Sequence, residues 1–264
     1  MILQNKNAII YGAGGSLGSA VAKGLAESGA KVFLTGRNLA SVQKIADEIL
    51  AFGGLAESAE VDALDGSAIN QHMDDVLNKA GTVDVSFNAI GVYQVQNIPL
   101  VEMSMADFVN PVATTLHTQF LTATAAAKVM IKQKSGVILT LTATPGGIGY
   151  PFTGSFSPSC AALENFSVNL ASEIGINKVR VVNIRSGGSP DSKIFKDAIE
   201  SNPAEMESVL LTMKNDTMLK ELPLMADIAN LAVFLASDLA GKITGITIDV
   251  TCGTTTALNY RSAR

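Results

Sequence analysis

Residues 7–29 read NAIIYGAGGSLGSAVAKGLAESG, and the fold follows from this stretch. The apolar run Ala8-Ile9-Ile10-Tyr11 is too short for a helix and fits a buried parallel strand. A glycine-dense turn follows, Gly12-Ala13-Gly14-Gly15-Ser16-Leu17-Gly18, and then Leu17, Val21 and Leu25 recur at helical spacing until Gly29 stops the helix. Strand, glycine turn and helix start together make an anion cradle. Glycines let the backbone come close to a phosphate, and the helix start aims N–H groups and a positive dipole end at it. The dinucleotide fingerprint G-x-G-x-x-G is missed by one place, because position 17 is Leu and the glycine falls at Gly18. A tight strand-to-helix turn that binds nothing is the alternative reading.

Composition narrows the field. The chain has 264 residues, 47% of them hydrophobic, which suits a sheet covered on both faces. A net charge of −5 argues against a nucleic-acid partner, which would want a basic face. The two cysteines, Cys160 and Cys252, lie far apart in sequence and point to a reducing compartment more than to a disulfide framework. No signal-like apolar segment opens the chain and no apolar run reaches about 18 residues, so a soluble, cytoplasmic protein with no membrane partner is expected.

Outward from the opening stretch, strands and helices alternate at short intervals. Strands are expected at 31–35, 56–61, 83–87, 137–141, 179–184 and 246–250. The intervening helices begin near Leu39, span 66–80, 105–133 and 156–174, and finish with one marked by Ile228, Leu231 and Leu235. This is the pattern of a single doubly wound parallel α/β domain over residues 1–264, with helices on both faces. The long helix at 105–133 is alanine-rich, which suggests close packing against another helix or subunit. Residues 189–222 lack a clear period and could be a substrate lid or a plain pair of surface helices.

Four motifs in order make the chain resemble the short-chain dehydrogenase/reductase family over nearly its whole length. The family's T-G-x-x-x-G-x-G is read as Tyr11-Gly12-Ala13-Gly14-Gly15-Ser16-Leu17-Gly18, its N-N-A-G as Phe87-Asn88-Ala89-Ile90, and its P-G as Ser186-Gly187. Residues 228–253, IANLAVFLASDLAGKITGITIDVTCG, are similar to the family's C-terminal pattern. The resemblance implies a Rossmann-type sheet of about seven strands with a nicotinamide dinucleotide across its C-terminal edge. The implied cofactor residues are Gly12, Gly14, Gly15, Ser16, Leu17, Gly18, Arg37, Asn38, Asp62, Ala63, Asn88, Ala89, Ile90 and Gly187. An acidic group after the second strand would bind the ribose of NAD. Here Gly36-Arg37 stands in that place, so NADP(H) is favoured over NAD(H), unless Arg37 is simply a solvated charge at a helix start. Asp62 resembles the carboxylate that contacts adenine; a helix N-cap is its alternative. The family also forms dimers and tetramers through helices like 105–133 and 156–174, so a homodimer or homotetramer is implied.

The family's catalytic group does not carry over. Its Tyr-x-x-x-Lys aligns with Phe156-Ser157-Pro158-Ser159-Cys160, its serine with Ala143 and its asparagine with Thr115. Phenylalanine has no proton to donate, and a cysteine supplies neither the charge nor the donors of a lysine. Thr142 and Thr144 could offer hydroxyls, although a change of register would reverse the face of the first, and Tyr150 stands on a nearby glycine-rich loop. Cys160 reads as a small buried hydrophobe rather than a nucleophile. His72 and His117 match no metal spacing and read as surface or packing residues. Three functions stay open. The chain is an NADP(H)-binding protein with impaired hydride transfer on an unknown small molecule, an active oxidoreductase with unusual proton donors, or a non-catalytic structural subunit or metabolite sensor.

Overall fold

In the computed structural model, which describes residues 1–257, the chain alternates as expected. In order it forms β1 (Asn7–Tyr11), α1 (Ser16–Glu27), β2 (Lys31–Gly36), α2 (Leu39–Ala51), β3 (Leu55–Glu60), α3 (Gly66–Ala80), β4 (Val85–Asn88) and α4 (Met105–Gln133). It continues with β5 (Gly136–Ala143), α5 (Phe156–Ile174), β6 (Val179–Ser186), α6 (Lys193–Ser201), α7 (Pro203–Asn215), α8 (Met225–Ala236), β7 (Ile246–Val250) and α9 (Thr254–Ala257). The strands form one parallel sheet in the order β3-β2-β1-β4-β5-β6-β7. Chain direction across the sheet reverses between β1 and β4, and a crevice opens there at the strands' C-terminal ends.

Each face of the sheet buries its own core. On one side Ala8, Ile10, Val32 and Leu34 meet Val21, Ala22 and Leu25 of α1, Val42 and Ile49 of α2, and Ile228 and Leu235 of α8. On the other, Ile9, Tyr11 and Phe33 meet Ile69, Met73 and Val76 of α3, the alanines of α4, and Leu170 and Ile174 of α5. Successive strand residues feed opposite faces, so these strands read as continuous apolar runs.

Several strand ends differ from expectation by one or two residues, two of them for identifiable reasons. The fourth strand begins at Val85 rather than Val83, because the Val83 N–H is taken by the Gln133 side chain at 3.0 Å. The Asp84 carboxylate, meanwhile, accepts the Asn7 N–H at 2.9 Å. The fifth runs on to Ala143 because Thr142 and Ala143 find partners in Arg185 and Ser186 on β6. On α4 the alanines Ala123, Ala125, Ala126 and Ala127 are buried inside this chain with residues of α3 and α5, which answers the expected choice between another helix and another subunit in favour of the helix. The large apolar residues that α4 exposes are Met105, Val109 and Phe120.

Residues 189–222 contain the helix pair α6 and α7, neither with a buried residue. The pair is anchored above the crevice. The Lys193 N–H donates to Ser16 Oγ at 2.9 Å, tying the start of α6 to the glycine turn. Phe195 and Met213 lie against Gly188, where a Cβ would have no room.

Candidate functional site

The glycine turn after β1 has the geometry an anion cradle requires. Gly12 sits at φ +75°, a backbone conformation that favours glycine, and a Cβ there would meet Ile90 N at 3.0 Å. A Cβ on Gly18 would overlap the Gly12 carbonyl oxygen, and one on Gly14 would come within 2.5 Å of Ser41 Oγ. The N-cap of α1 is Gly15, no side chain caps it, and its first turn carries no acidic residue. The positive end of the helix is therefore left unneutralised by protein groups. Ser16 and Leu17 complete the turn. These features fit a bound pyrophosphate.

The other expected cofactor residues come together at the same edge, each at or just past a strand's C-terminal end. Arg37, after β2, is exposed and makes no hydrogen bond or ion pair among the described residues. Asn38 is the N-cap of α2, its side chain accepting from Ser41 N at 3.1 Å. Asp62 accepts from Leu64 N at 3.0 Å in a local turn, and buried Ala63 follows it. The N-cap of α3 is Asp65, so Asp62 is not the helix cap. Asn88 is buried at the end of β4 and braces the loop that follows. Its Nδ2 donates to Thr122 Oγ1 at 2.9 Å, and its Oδ1 accepts the Ile90 N–H at 2.9 Å. Ala89 is fixed by its N–H to Tyr11 O at 2.9 Å. Gly187 donates its N–H to Val250 O at 2.8 Å, beside Pro223.

A family model described as enoyl-(acyl carrier protein) reductase matches residues 12–255. The chain belongs to the short-chain dehydrogenase/reductase family. The 7alpha-hydroxysteroid dehydrogenase of Escherichia coli K12 is 30% identical over 258 residues, which cover 97% of both chains. The 3-oxoacyl-(acyl-carrier-protein) reductase of Staphylococcus epidermidis is 29% identical over 94% of this chain and 98% of its own. The crystal structure of levodione reductase superposes with a TM-score of 0.88 over 97% of this chain and 99% of that one, at 22% identity, a likeness of fold.

Among short-chain dehydrogenase/reductase motifs, the four residues expected at the catalytic positions lie as follows. Ala143 ends β5 and Cys160 is on α5, and a backbone hydrogen bond from Ala143 reaches the Cys160 sulfur. Phe156 opens α5 one turn before Cys160, and Thr115 is on α4, where its carbonyl accepts from Thr118. Cys160 is 4% exposed, and burial pushes its thiol up to about 11, assisted by the Glu164 carboxylate. At neutral pH it is a thiol and not a nucleophile.

The neighbouring hydroxyls are already engaged. Thr142 points into the sheet's α5 side, donating to Glu164 Oε1 at 2.8 Å and accepting from Asn183 Nδ2 at 2.7 Å. Thr144 donates to Ser186 O at 3.4 Å. Ser157 donates to Pro145 O at 2.7 Å and Ser159 to Ser155 O at 2.8 Å. Ser155 Oγ donates to Gln94 Oε1 at 2.5 Å.

Sequence reasoning missed the cation beneath this site. Arg185 on β6 donates Nε and Nη2 to the two oxygens of Glu164 at 3.0 and 2.5 Å, and Nη1 to Asp249 at 2.8 Å. Both Arg185 and Glu164 are nearly buried, and a Cβ on Gly147 would lie 2.6 Å from the guanidinium carbon. This Arg185 charge lowers the Cys160 pKa only weakly, being held between two carboxylates. Two signals for it were present in the sequence. Glu164 stands one turn past Cys160 on α5, and Arg185 interrupts the apolar run of β6.

Proposed function

We propose that this chain binds a nicotinamide dinucleotide, NADP(H) in preference to NAD(H), and that ordinary carbonyl–alcohol hydride transfer is impaired in it. The observation that carries the reading is the pairing of an intact cradle at Gly12–Gly18 with Ala143, Phe156 and Cys160 where the family's acid–base group would stand. A bound nicotinamide supplies the hydride. The cradle residues and the first turn of α1 would hold its pyrophosphate, and Asn88 would keep the Ala89–Ile90 loop in place beneath it. Arg37, with no internal partner, would meet a 2′-phosphate.

Proton transfer is the weak step. Loss of a positioned acid lowers a rate by about 10²–10⁴-fold. Thr142 and Thr144, which flank Ala143 in the chain, are turned to Glu164 and Ser186. The names of the relatives, a hydroxysteroid dehydrogenase and an acyl-carrier-protein reductase, support a ligand that carries a carbonyl or an alcohol. In this reading the α6–α7 pair, tied to Ser16, is the lid over that ligand.

Calorimetric titration with NADPH and NADH tests the proposal. NADPH is expected to bind more tightly, and Arg37→Ala to remove most of the difference, about ten- to a hundredfold for a charge-assisted contact. Equal affinity for the two dinucleotides in the unmodified protein would refute the preference; no binding of either would refute the whole reading.

A further inference from the structure

The opposite end of the sheet carries a second concavity, at the N-terminal ends of β4, β5 and β6, with a volume of about 490 Å³. Its walls hold five cationic side chains, Lys6, Lys134, Lys178, Arg180 and Lys242, against two carboxylates, Asp84 and Asp238. That local excess of positive charge stands in a chain whose net charge is −5.

Both carboxylates are already engaged. Asp238 pairs with Lys6 at 3.3 Å, and Asp84 accepts from Asn7 N at 2.9 Å and Thr82 Oγ1 at 3.1 Å. Arg180 is occupied by the end of α8, donating Nη2 to Leu235 O at 2.6 Å and Nη1 to Ile243 O at 3.4 Å. Lys134, Lys178 and Lys242 remain, and none has a carboxylate within ion-pairing distance among the described residues.

Helix dipoles absorb this charge only in part. The C-terminal ends of α4, α5 and α8 face this edge, and each contributes roughly half a negative charge, so together they offset only about half of the excess. Moreover, Lys134 and Lys178 both hold left-handed backbones, φ 55° and 62°, at helix ends where glycine is the usual occupant. Two lysines in conformations that disfavour side chains line one cavity.

We infer that this concavity is a binding site for a small polyanion bearing two or more phosphate groups, separate from the dinucleotide cradle at the other end of the strands. Lys134, Lys178 and Lys242 supply the charge. The volume is in the range that holds compact ligands of this kind.

Titration of the folded protein with inorganic pyrophosphate, followed by amide NMR, tests this. Shifts are expected at Ser135, Gly136, Gly241 and Thr244. Combined Lys134→Met, Lys178→Met and Lys242→Met should weaken that response by about tenfold or more, while the three Lys→Arg changes keep it, because the contact is one of charge. NADPH titration of the same variants reports on the cradle independently. Should the triple methionine variant fail to fold, Lys242→Met alone, at an exposed loop position, must still weaken binding. Shifts confined to residues 12–18, no shifts, or pyrophosphate binding untouched by loss of the lysines would overturn the inference.

Discussion

Phe156 and Cys160 lie one turn apart on α5, where the family resemblance leads us to expect a tyrosine and a lysine, and their surroundings give a reason why single repairs of the proposed gap would fail. A tyrosine hydroxyl at 156 needs a nearby cation to become a useful acid at neutral pH. The cation at hand, Arg185, is held by Glu164 and Asp249. Phe156→Tyr alone is therefore expected to leave turnover unchanged. Combined Ala143→Ser, Phe156→Tyr and Cys160→Lys should give measurable NADPH oxidation with a reactive carbonyl compound. Substantial turnover by the unmodified protein would mean that another group already donates the proton, and Tyr150, which makes no side-chain hydrogen bond among the described residues, becomes the first candidate.

At the scale of elements, the C-terminal ends of β5, β6 and β7 are joined by one polar ladder. Thr140 bonds Ser167 and Asn183, Asn183 bonds Thr142, Thr142 bonds Glu164, and Glu164 holds Arg185, which reaches Asp249. Every link crosses between strands or between sheet and α5. Removing one member of a nearly buried ion pair leaves the other without full compensation, so Glu164→Ala is expected to destabilise the fold by about 2–4 kcal/mol. Glu164→Gln keeps the hydrogen bond to Thr142 and should cost less. Chemical denaturation of the two variants checks the order; equal stability of Glu164→Ala and the parent would show that Asp249 alone satisfies Arg185.

For the whole molecule, His72 is expected to weaken the fold in acid. It is buried between α3 and the sheet, its Nδ1 has no hydrogen-bond partner among the described residues, and burial holds its pKa down at about 4. Asp75 and Glu57 pull the other way and lose. Because the unfolded chain takes up this proton at a higher pH than the folded one, the neutral histidine leaves stability intact above about pH 6.5. Stability then falls as pH drops toward about 4, by at most about 3 kcal/mol. Glu57, its pKa lowered by hydrogen bonds to Lys31 and Lys79, acts in the same direction below the ordinary carboxylate range. Thermal melts of His72→Phe should show a flatter profile between pH 6.5 and 4; an unchanged acid limb would remove His72 as its cause. Assembly belongs to this scale too. Phe120 and Val168, on α4 and α5, are exposed, and the Phe120 ring lies tilted against Phe166 with centroids 6.2 Å apart. We expect a homodimer or homotetramer through these helices, and sedimentation showing only a 27.4 kDa species at micromolar concentration would reject it.

The sequence by itself determined the elements and the cradle. The bounds of α3, α4 and α5 match their reading, since capping residues, periodicity and breakers act within a few positions of one another. The glycine turn was legible for the same reason, because its geometry is set by the residues that make it. What only the tertiary structure decided are the pairings between distant residues. Arg185 meets Asp249 across 64 positions because β6 and β7 lie side by side, and Glu164 across 21 because α5 packs on β6. The face that Thr142 presents follows from strand register, and the burial of the α4 alanines from the packing of α4 against α3, α5 and the sheet. Nothing local encodes which strands become neighbours; burial of both faces of one sheet does.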